Sequence, residues 1–409
     1  MGMLQVLRPA LPILMGAAIM LTISMGLRQS LGIFLQPLTK DIAISVSSFT
    51  LAIAVQNLAW GFLQPIAGAL TVRWGYRPIM LVGAALYIIG LALMAAAQGF
   101  IAIMIGAGVL IGASMACTGP AIAMAVAARS VSTAVRSTVL GMVSAAGSLG
   151  ALMAAPLGQI LNEGYGWRTG IAGFVVMSLF MLPMAWIAGK TDNEPTPTTA
   201  NEIGDTSAAA AAVKAFSNVS FVVMTCAYFV CGMQLVFITT HLPSYLAICG
   251  MDPMLSAQTL GVIGGFNVLG SLFFGWAGGR WSKQALLGLI YVSRSVVLAW
   301  YFMAPPSTTG TLVFGALMGF LWLGVGPLMQ GAIVEMFGLR WQAMIGGLAF
   351  MNHQLGSFLG AYGGGLIYDT LGSYTLAWQI GVSIGLTAGI VQIAFALLRP
   401  PQQPMLATP

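Results

Sequence analysis

Apolar runs long enough to cross a bilayer recur along almost the whole chain, and that recurrence limits what it can fold into. A helix rises 1.5 Å per residue and the hydrocarbon layer is about 30 Å thick, so a spanning helix needs about 20 apolar residues. Runs of that kind occupy residues 10–38, 46–71, 78–98, 100–127, 137–162 and 167–189, and then 217–245, 256–279, 284–303, 310–335, 342–367 and 374–398. Only 6% of the residues are charged and 58% are hydrophobic, whereas soluble domains carry about 25% charged residues. Too few polar side chains exist to cover a water-facing surface, so the apolar faces must meet lipid. The pattern predicts an all-α membrane protein of twelve transmembrane helices.

The runs fall into six, a polar break, and six. Residues 1–189 are expected to form one six-helix bundle, 190–216 a cytoplasmic linker, and 217–409 a second bundle. The break, "KTDNEPTPTTANEIGDTSAAAAAVK", has the composition of a flexible tether. With the N-terminus in the cytoplasm, Arg8, Arg73, Arg77, Arg129, Arg136, Lys190, Lys214, Arg280, Lys283, Arg340 and Arg399 all fall inside, while Lys40 and Arg168 fall outside and Arg28 and Arg294 lie within spans. That bias predicts both termini in the cytoplasm, and the plasma (inner) membrane is the expected location. Spread this way, the net charge of +6 is not a nucleic-acid footprint. The halves also repeat: Gly68, Arg73 and Trp74 correspond to Gly275, Arg280 and Trp281, and Gly119–Pro120 corresponds to Gly326–Pro327, all at one spacing. Gly26 and Pro37 correspond to Gly232 and Pro243 at a spacing one residue shorter. Repeats in the same chain order imply pseudo-symmetry about an axis along the membrane normal.

Little in the chain points to an enzyme. It has no phosphate-cradling Gly-Lys loop, no paired His at metal spacing and no nucleophile elbow, so neither a metal nor another cofactor is expected. Cys117, Cys226, Cys231 and Cys249 have no metal-ligand spacing with a His and read as small apolar residues.

Two six-span halves resemble the major facilitator superfamily. The loop after the second span carries the resemblance: the family pattern Gly-x-x-x-Asp-Arg-x-Gly-Arg is met by Gly68, Arg73, Gly75 and Arg77, with Val72 where the family has its acid. Three segments, "GLRQSLGIFLQPL", "CGMQLVFITTHLPSYL" and "NHQLGSFLGAYGGG", look like the bacterial monocarboxylate-porter group within it. The resemblance implies a secondary transporter working by alternating access. Its charged inner gate would be formed by Arg73, Arg77, Arg280, Glu335 and Arg340. Many carboxylate carriers have an arginine in the eighth span, but here that region reads "NVLGSLFFG", so the counter-charge for an anion must come from elsewhere.

Arg28 is the candidate. It lies roughly 17 residues, or ~25 Å, from the cytoplasmic end of its helix, too deep to reach that surface. A cation at that depth costs several kcal/mol unless it meets water or a partner. Two placements relieve the cost: snorkelling to the outer headgroups, or facing the central cavity that first helices line in the resembling fold. In the second placement it would bind a carboxylate through a forked, charge-assisted contact. Its repeat partner, Gln234, would add a neutral donor, and Asn57 and Asn267 would shape the pocket, unless these amides only tie helices together. His353, near the midplane, suits a proton carrier or a bond to Ser357. His241, at the outer end of the seventh span, reads as an outer gate or an interfacial anchor. Arg294, in the ninth span, reads as a structural cation pairing with carbonyls or an acid, and Glu335 reads as a salt-bridge partner of Arg340. The resulting expectation is a monomeric carrier moving a small monocarboxylate with a proton, by a net process that moves no charge. A drug or metabolite efflux pump of the same fold is the competing expectation, and a non-transporting receptor the third.

Overall fold

The computed structural model describes residues 7–195, 203 and 206–398. Twelve long helical segments run in chain order: α1 (Leu11–Asp41), α2 (Val46–Trp74), α3 (Tyr76–Ala95), α4 (Phe100–Arg129), α5 (Thr133–Tyr165), α6 (Trp167–Asn193), α7 (Val219–Ile248), α8 (Pro253–Ala277), α9 (Lys283–Met303), α10 (Thr308–Phe337), α11 (Gln342–Leu371) and α12 (Thr375–Leu398). Ten of them are long and apolar enough to cross a bilayer. The other two, α2 and α11, have 29 and 30 residues. They have the length, but Gln56, Asn57 and Gln64 dilute one, and Asn352, His353, Gln354 and Ser357 dilute the other. Most of those polar residues are satisfied inside the protein: Gln56 and Gln64 donate to the Ala107 and Ala116 carbonyls of α4, Asn352 donates to the Thr225 carbonyl of α7, and Gln354 donates to the Asn57 carbonyl of α2.

The neighbours obey the repeat. In the first half α1 packs on α5, α2 on α4 and α3 on α6; in the second, α7 packs on α11, α8 on α10 and α9 on α12. The halves meet along two seams, α2 with α11 and α5 with α8, which exchange under the same pseudo-twofold. Glycine makes the equivalent contacts possible. A Cβ at Gly150 would lie 1.9 Å from the Thr22 carbonyl oxygen, and one at Gly356, its repeat equivalent, 2.0 Å from that of Phe229. Small residues let helix backbones touch where lipid offers no hydrophobic drive for association.

Spans α4 and α10 are both interrupted. In α4, Gly119 is extended and Pro120 starts a fresh helix, since Pro has no N–H to give and suits a first turn. In α10 the break comes earlier than Gly326–Pro327, at Leu323–Gly324.

The linker is not a free tether at either end. Gly189–Asn193 forms a 3₁₀ turn, and the Asp192 carboxylate accepts hydrogen bonds from the backbone N–H groups of Tyr76 and Arg77 at 2.8 and 2.9 Å. Ala208–Phe216 is a short helix that buries Ala211 and Ala215. Arg399 lies outside the described residues. The Asp192 contact caps the N-terminus of α3, where free N–H groups and the helix dipole favour an anion. Gly75, at φ 84°, makes the tight turn before it, a conformation only glycine adopts without strain. Removing such a cap costs about 1 kcal/mol, so Asp192→Ala is expected to lower the melting temperature in detergent by a few degrees, with Asp192→Asn closer to wild type.

Candidate functional site

The seams close at one end. A Cβ at Gly68 would meet Met344 N at 2.4 Å, one at Gly347 would meet Pro65 N at 2.7 Å, and one at Gly141 would meet the Gly275 Cα at 2.7 Å. Ser144 and Ser271 are hydrogen-bonded at 3.3 Å. These contacts all lie toward the ends of the helices that carry Arg73, Arg77, Arg136, Arg280 and Lys283. Farther along, the seam helices become exposed: α11 is buried from Gln342 to Gly347 but exposed at Leu355, Phe358 and Tyr362, and α5 is exposed at Leu149, Met153 and Ile160. The two halves thus meet most closely toward the cation-rich ends of these helices.

Arg28 stands where the seam ends. Its Nη2 donates to the Asn57 Oδ1, and its guanidinium lies over the Trp60 ring, 5.0 Å from the centroid. Asn57 and Trp60, three residues apart on α2, share a helix face. Trp60 in turn donates from Nε1 to Gln64 at 3.0 Å, and Gln64 donates to the Ala116 carbonyl at 2.9 Å, so the indole is fixed from below. Across the seam, Gln354 of α11 donates to the Asn57 carbonyl at 3.1 Å. The Trp60 and Phe350 rings are 4.5 Å apart, Phe350 stacks on His353 at 5.5 Å, and His353 meets Tyr228 of α7 at 4.5 Å. A continuous row of side chains therefore runs from Arg28 in the first half to His353 and Tyr228 in the second. His353 Nδ1 also lies 3.4 Å from Gln354 Oε1 and 3.5 Å from Ser357 Oγ.

Arg28 does not reach a carboxylate: among the described residues no ion pair includes it. The ion pairs among the described residues include Arg168 with Asp41, at 3.1 Å on the cation-poor side, and Lys283 with Glu335 on the other. The Arg28 guanidinium is thus bonded to a neutral amide and an aromatic face, and its Nε is buried without a partner.

Other expected site residues sit elsewhere. Gln234 does not join Arg28: its Nε2 donates to the Gly381 carbonyl at 2.9 Å and to Ser295 at 3.2 Å, beside an apolar crevice of about 230 Å³ between α7, α11 and α12. Asn267 accepts from Leu323 N at 3.3 Å, which satisfies the backbone at the α10 break. His241 is buried, with Nδ1 3.2 Å from the Tyr374 hydroxyl and Nε2 2.8 Å from the Ala361 carbonyl, so it ties α7 to α11 and to the turn before α12, all in one half. Among the expected gating charges, Arg73 rests on Trp74, Arg77 on Trp186 and Arg280 on Trp276, and the expected partner of Arg340, Glu335, is paired with Lys283. Each of these four contacts lies within one half, while Glu335 also interacts electrostatically with Arg136 of the other half. Trp60, Phe350 and Tyr228 were not anticipated, although Trp60 and Phe350 each lie three residues from a residue that was.

Comparison with known proteins decides the family. Residues 17–361 match the family model for the Major Facilitator Superfamily. The chain belongs to that superfamily. It is therefore a multi-pass membrane transporter and not an enzyme. Monocarboxylate transporter 11 of Mus musculus is 25% identical over 384 residues, covering 90% of this chain and 83% of that one. Monocarboxylate transporter 13 of Rattus norvegicus is 26% identical, covering 81% and 75%. An uncharacterized MFS-type transporter of Bacillus subtilis, YcxA, is 23% identical, covering 90% and 91%. Among solved structures, the E. coli fucose:proton symporter superposes with a TM-score of 0.73 at 14% identity, covering 93% of this chain and 97% of that one. The proton:xylose symporter XylE gives 0.70 at 13%, covering 96% of each. At such identities the structures share the fold alone.

Proposed function

We propose that this transporter carries a small monocarboxylate together with a proton across the plasma (inner) membrane, by alternating access of its two halves. One observation carries the reading: Arg28, beside the seam between the halves, is held by a neutral amide and an indole and, among the described residues, by no carboxylate. An anionic substrate supplies the missing charge. The names of the mammalian relatives support the class of substrate, and Asn57 and Trp60 orient the guanidinium that binds it. His353, joined to that cluster through Phe350, handles the proton. Anion and proton moving together transfer no net charge, which avoids ~2.3 kcal/mol per charge for every 100 mV of potential. Residues 1–189 and 217–409 are the two rocking bodies, and 190–216 the tether between them, on the cytoplasmic side with both termini. Each end of the tether is pinned to one body, through Asp192 and through the helix Ala208–Phe216.

Uptake of labelled lactate and pyruvate into proteoliposomes tests the reading. The expected result is accumulation driven by a pH gradient, acid outside, and indifferent to an imposed membrane potential. Failure to move any small carboxylate, with extrusion of lipophilic cations instead, overturns it in favour of an efflux pump.

A further inference from the structure

Gln234 and Trp378 both line the apolar crevice between α7, α11 and α12, and each buries a polar atom without a partner. Gln234 donates from Nε2 to the Gly381 carbonyl at 2.9 Å and to the Ser295 hydroxyl at 3.2 Å. A carbonyl can only accept, so the amide nitrogen is fixed at that end. The amide oxygen, Oε1, is left buried and unbonded. The Trp378 indole stands edge-on to Phe237 at 5.2 Å and lies against Phe302 at 5.7 Å, and its Nε1 is buried without an acceptor. Both residues are 2% exposed. A buried donor or acceptor left unbonded is destabilising, and here one of each borders the same crevice. None of the described lining residues is charged.

The repeat shows what fills the corresponding space in the other half. Between α1, α5 and α6, the buried Phe174 ring stands edge-on to Phe34 at 5.3 Å and covers Gly158, where an added Cβ would lie 2.8 Å from it. By the spacing that relates Gly68 to Gly275, Phe174 corresponds to Gly381. Burial agrees with that pairing: Trp167, Gly170 and Ile171 are buried on α6 as Tyr374, Ala377 and Trp378 are on α12. The second half therefore lacks one aromatic ring, and nothing lies within 4 Å of a Cβ added at Gly381 or Gly363, both in the crevice lining. An apolar cavity of about 150 Å³ stays dry and takes up benzene; this one measures about 230 Å³. Its lining includes Leu359 of α11 and Ile380 of α12, both exposed, and α12 packs on α9 and α7 of its own half.

We propose that this crevice is a second ligand site, separate from Arg28, which takes from the bilayer a neutral molecule with an aromatic ring and a hydroxyl, a phenol in the simplest case. Entry is between Leu359 and Ile380. The ring takes the space that Phe174 fills in the other half. The hydroxyl gives its hydrogen to Gln234 Oε1 and accepts from Trp378 Nε1. A hydrocarbon tail would leave both atoms unbonded, and a carboxylate has no hydrogen for Gln234 and no cation in the lining to meet its charge. The inference does not depend on which substrate Arg28 binds.

Titrating the full chain in lipid nanodiscs with 4-fluorophenol, observed by ¹⁹F NMR against protein-free nanodiscs, tests this. A saturable bound resonance is expected for wild type and equally for Arg28→Gln. 4-Fluorotoluene keeps the ring without the hydroxyl, and is expected to bind at least about tenfold more weakly for want of two hydrogen bonds. Gly381→Phe restores the ring of the other half and is expected to abolish the bound resonance. Trp378→Phe removes the donor and keeps an aromatic side chain, so it tests the site even where Gly381→Phe does not fold. It is expected to weaken 4-fluorophenol about fivefold and to leave 4-fluorotoluene unchanged. No saturable resonance in wild type, undiminished binding in Gly381→Phe, undiminished 4-fluorophenol binding in Trp378→Phe, or 4-fluorotoluene binding as tightly as 4-fluorophenol overturns the proposal.

Discussion

Arg28→Gln is expected to lower the specificity of carboxylate uptake, kcat/KM, by at least about 30-fold while leaving the protein monodisperse and its melting temperature close to wild type. Losing one member of a desolvated charge pair costs about 2–5 kcal/mol, and every 1.36 kcal/mol is tenfold. The fold is spared because Arg28 makes no ion pair among the described residues: its substitution leaves Asn57 without one donor and Trp60 without a cation over its face, contacts worth about 1 kcal/mol each. Arg28→Lys separates charge from shape. It keeps the cation but loses the planar fork that matches a carboxylate, so an intermediate loss of about tenfold is expected. Initial uptake rates over a range of substrate concentrations give both numbers.

Gly150→Val is expected to abolish recovery of folded protein, the largest structural effect of any single change considered. The added Cβ would stand 1.9 Å from the Thr22 carbonyl oxygen, whereas non-bonded carbon contacts settle at about 3.5–4.0 Å. The obstacle is backbone, so no rotamer change relieves it. α1 would have to move off α5 by more than an ångström, breaking the hydrogen bond from the Thr22 hydroxyl to the Ala146 carbonyl at 2.8 Å. Overpacking costs typically 1–3 kcal/mol where side chains can yield, and more where they cannot. Gly164→Ala is the control, since nothing lies within 4 Å of a Cβ there. Size-exclusion profiles in detergent should show aggregate for Gly150→Val and a wild-type peak for Gly164→Ala.

Helix number, the order of the halves and their repeat were legible because lipid imposes a length and a composition on every span. Arg28, Asn57 and His353 were legible because polar groups are rare in such spans and each one needs a reason. Side-chain direction was not legible. Gln234 is the repeat equivalent of Arg28, yet it turns toward Ser295 and Gly381, because equivalent backbone positions do not force equivalent neighbours once the side chains differ. Asn267 was read from its polarity, but its partner exists only because α10 breaks at Leu323–Gly324, and the visible Gly326–Pro327 signal lies past that break. The gate was read from its charges. The close contacts across it, Gly68 with Met344 and Gly141 with Gly275, need two distant helices to be placed before their small residues acquire meaning.

Ligand-induced stabilisation probes the proposed Arg28 site most directly, because it needs neither a gradient nor turnover. Purified wild-type protein and Arg28→Gln are heated with lactate, pyruvate and other small monocarboxylates, and with their neutral amides as controls. A ligand at a hundred times its Kd stabilises by about 2.7 kcal/mol. The expected result is a rise in melting temperature for wild type with at least one carboxylate, none with its amide, and none for Arg28→Gln with either. An equal rise in both proteins, or no rise with any anion, would contradict an anion site at Arg28.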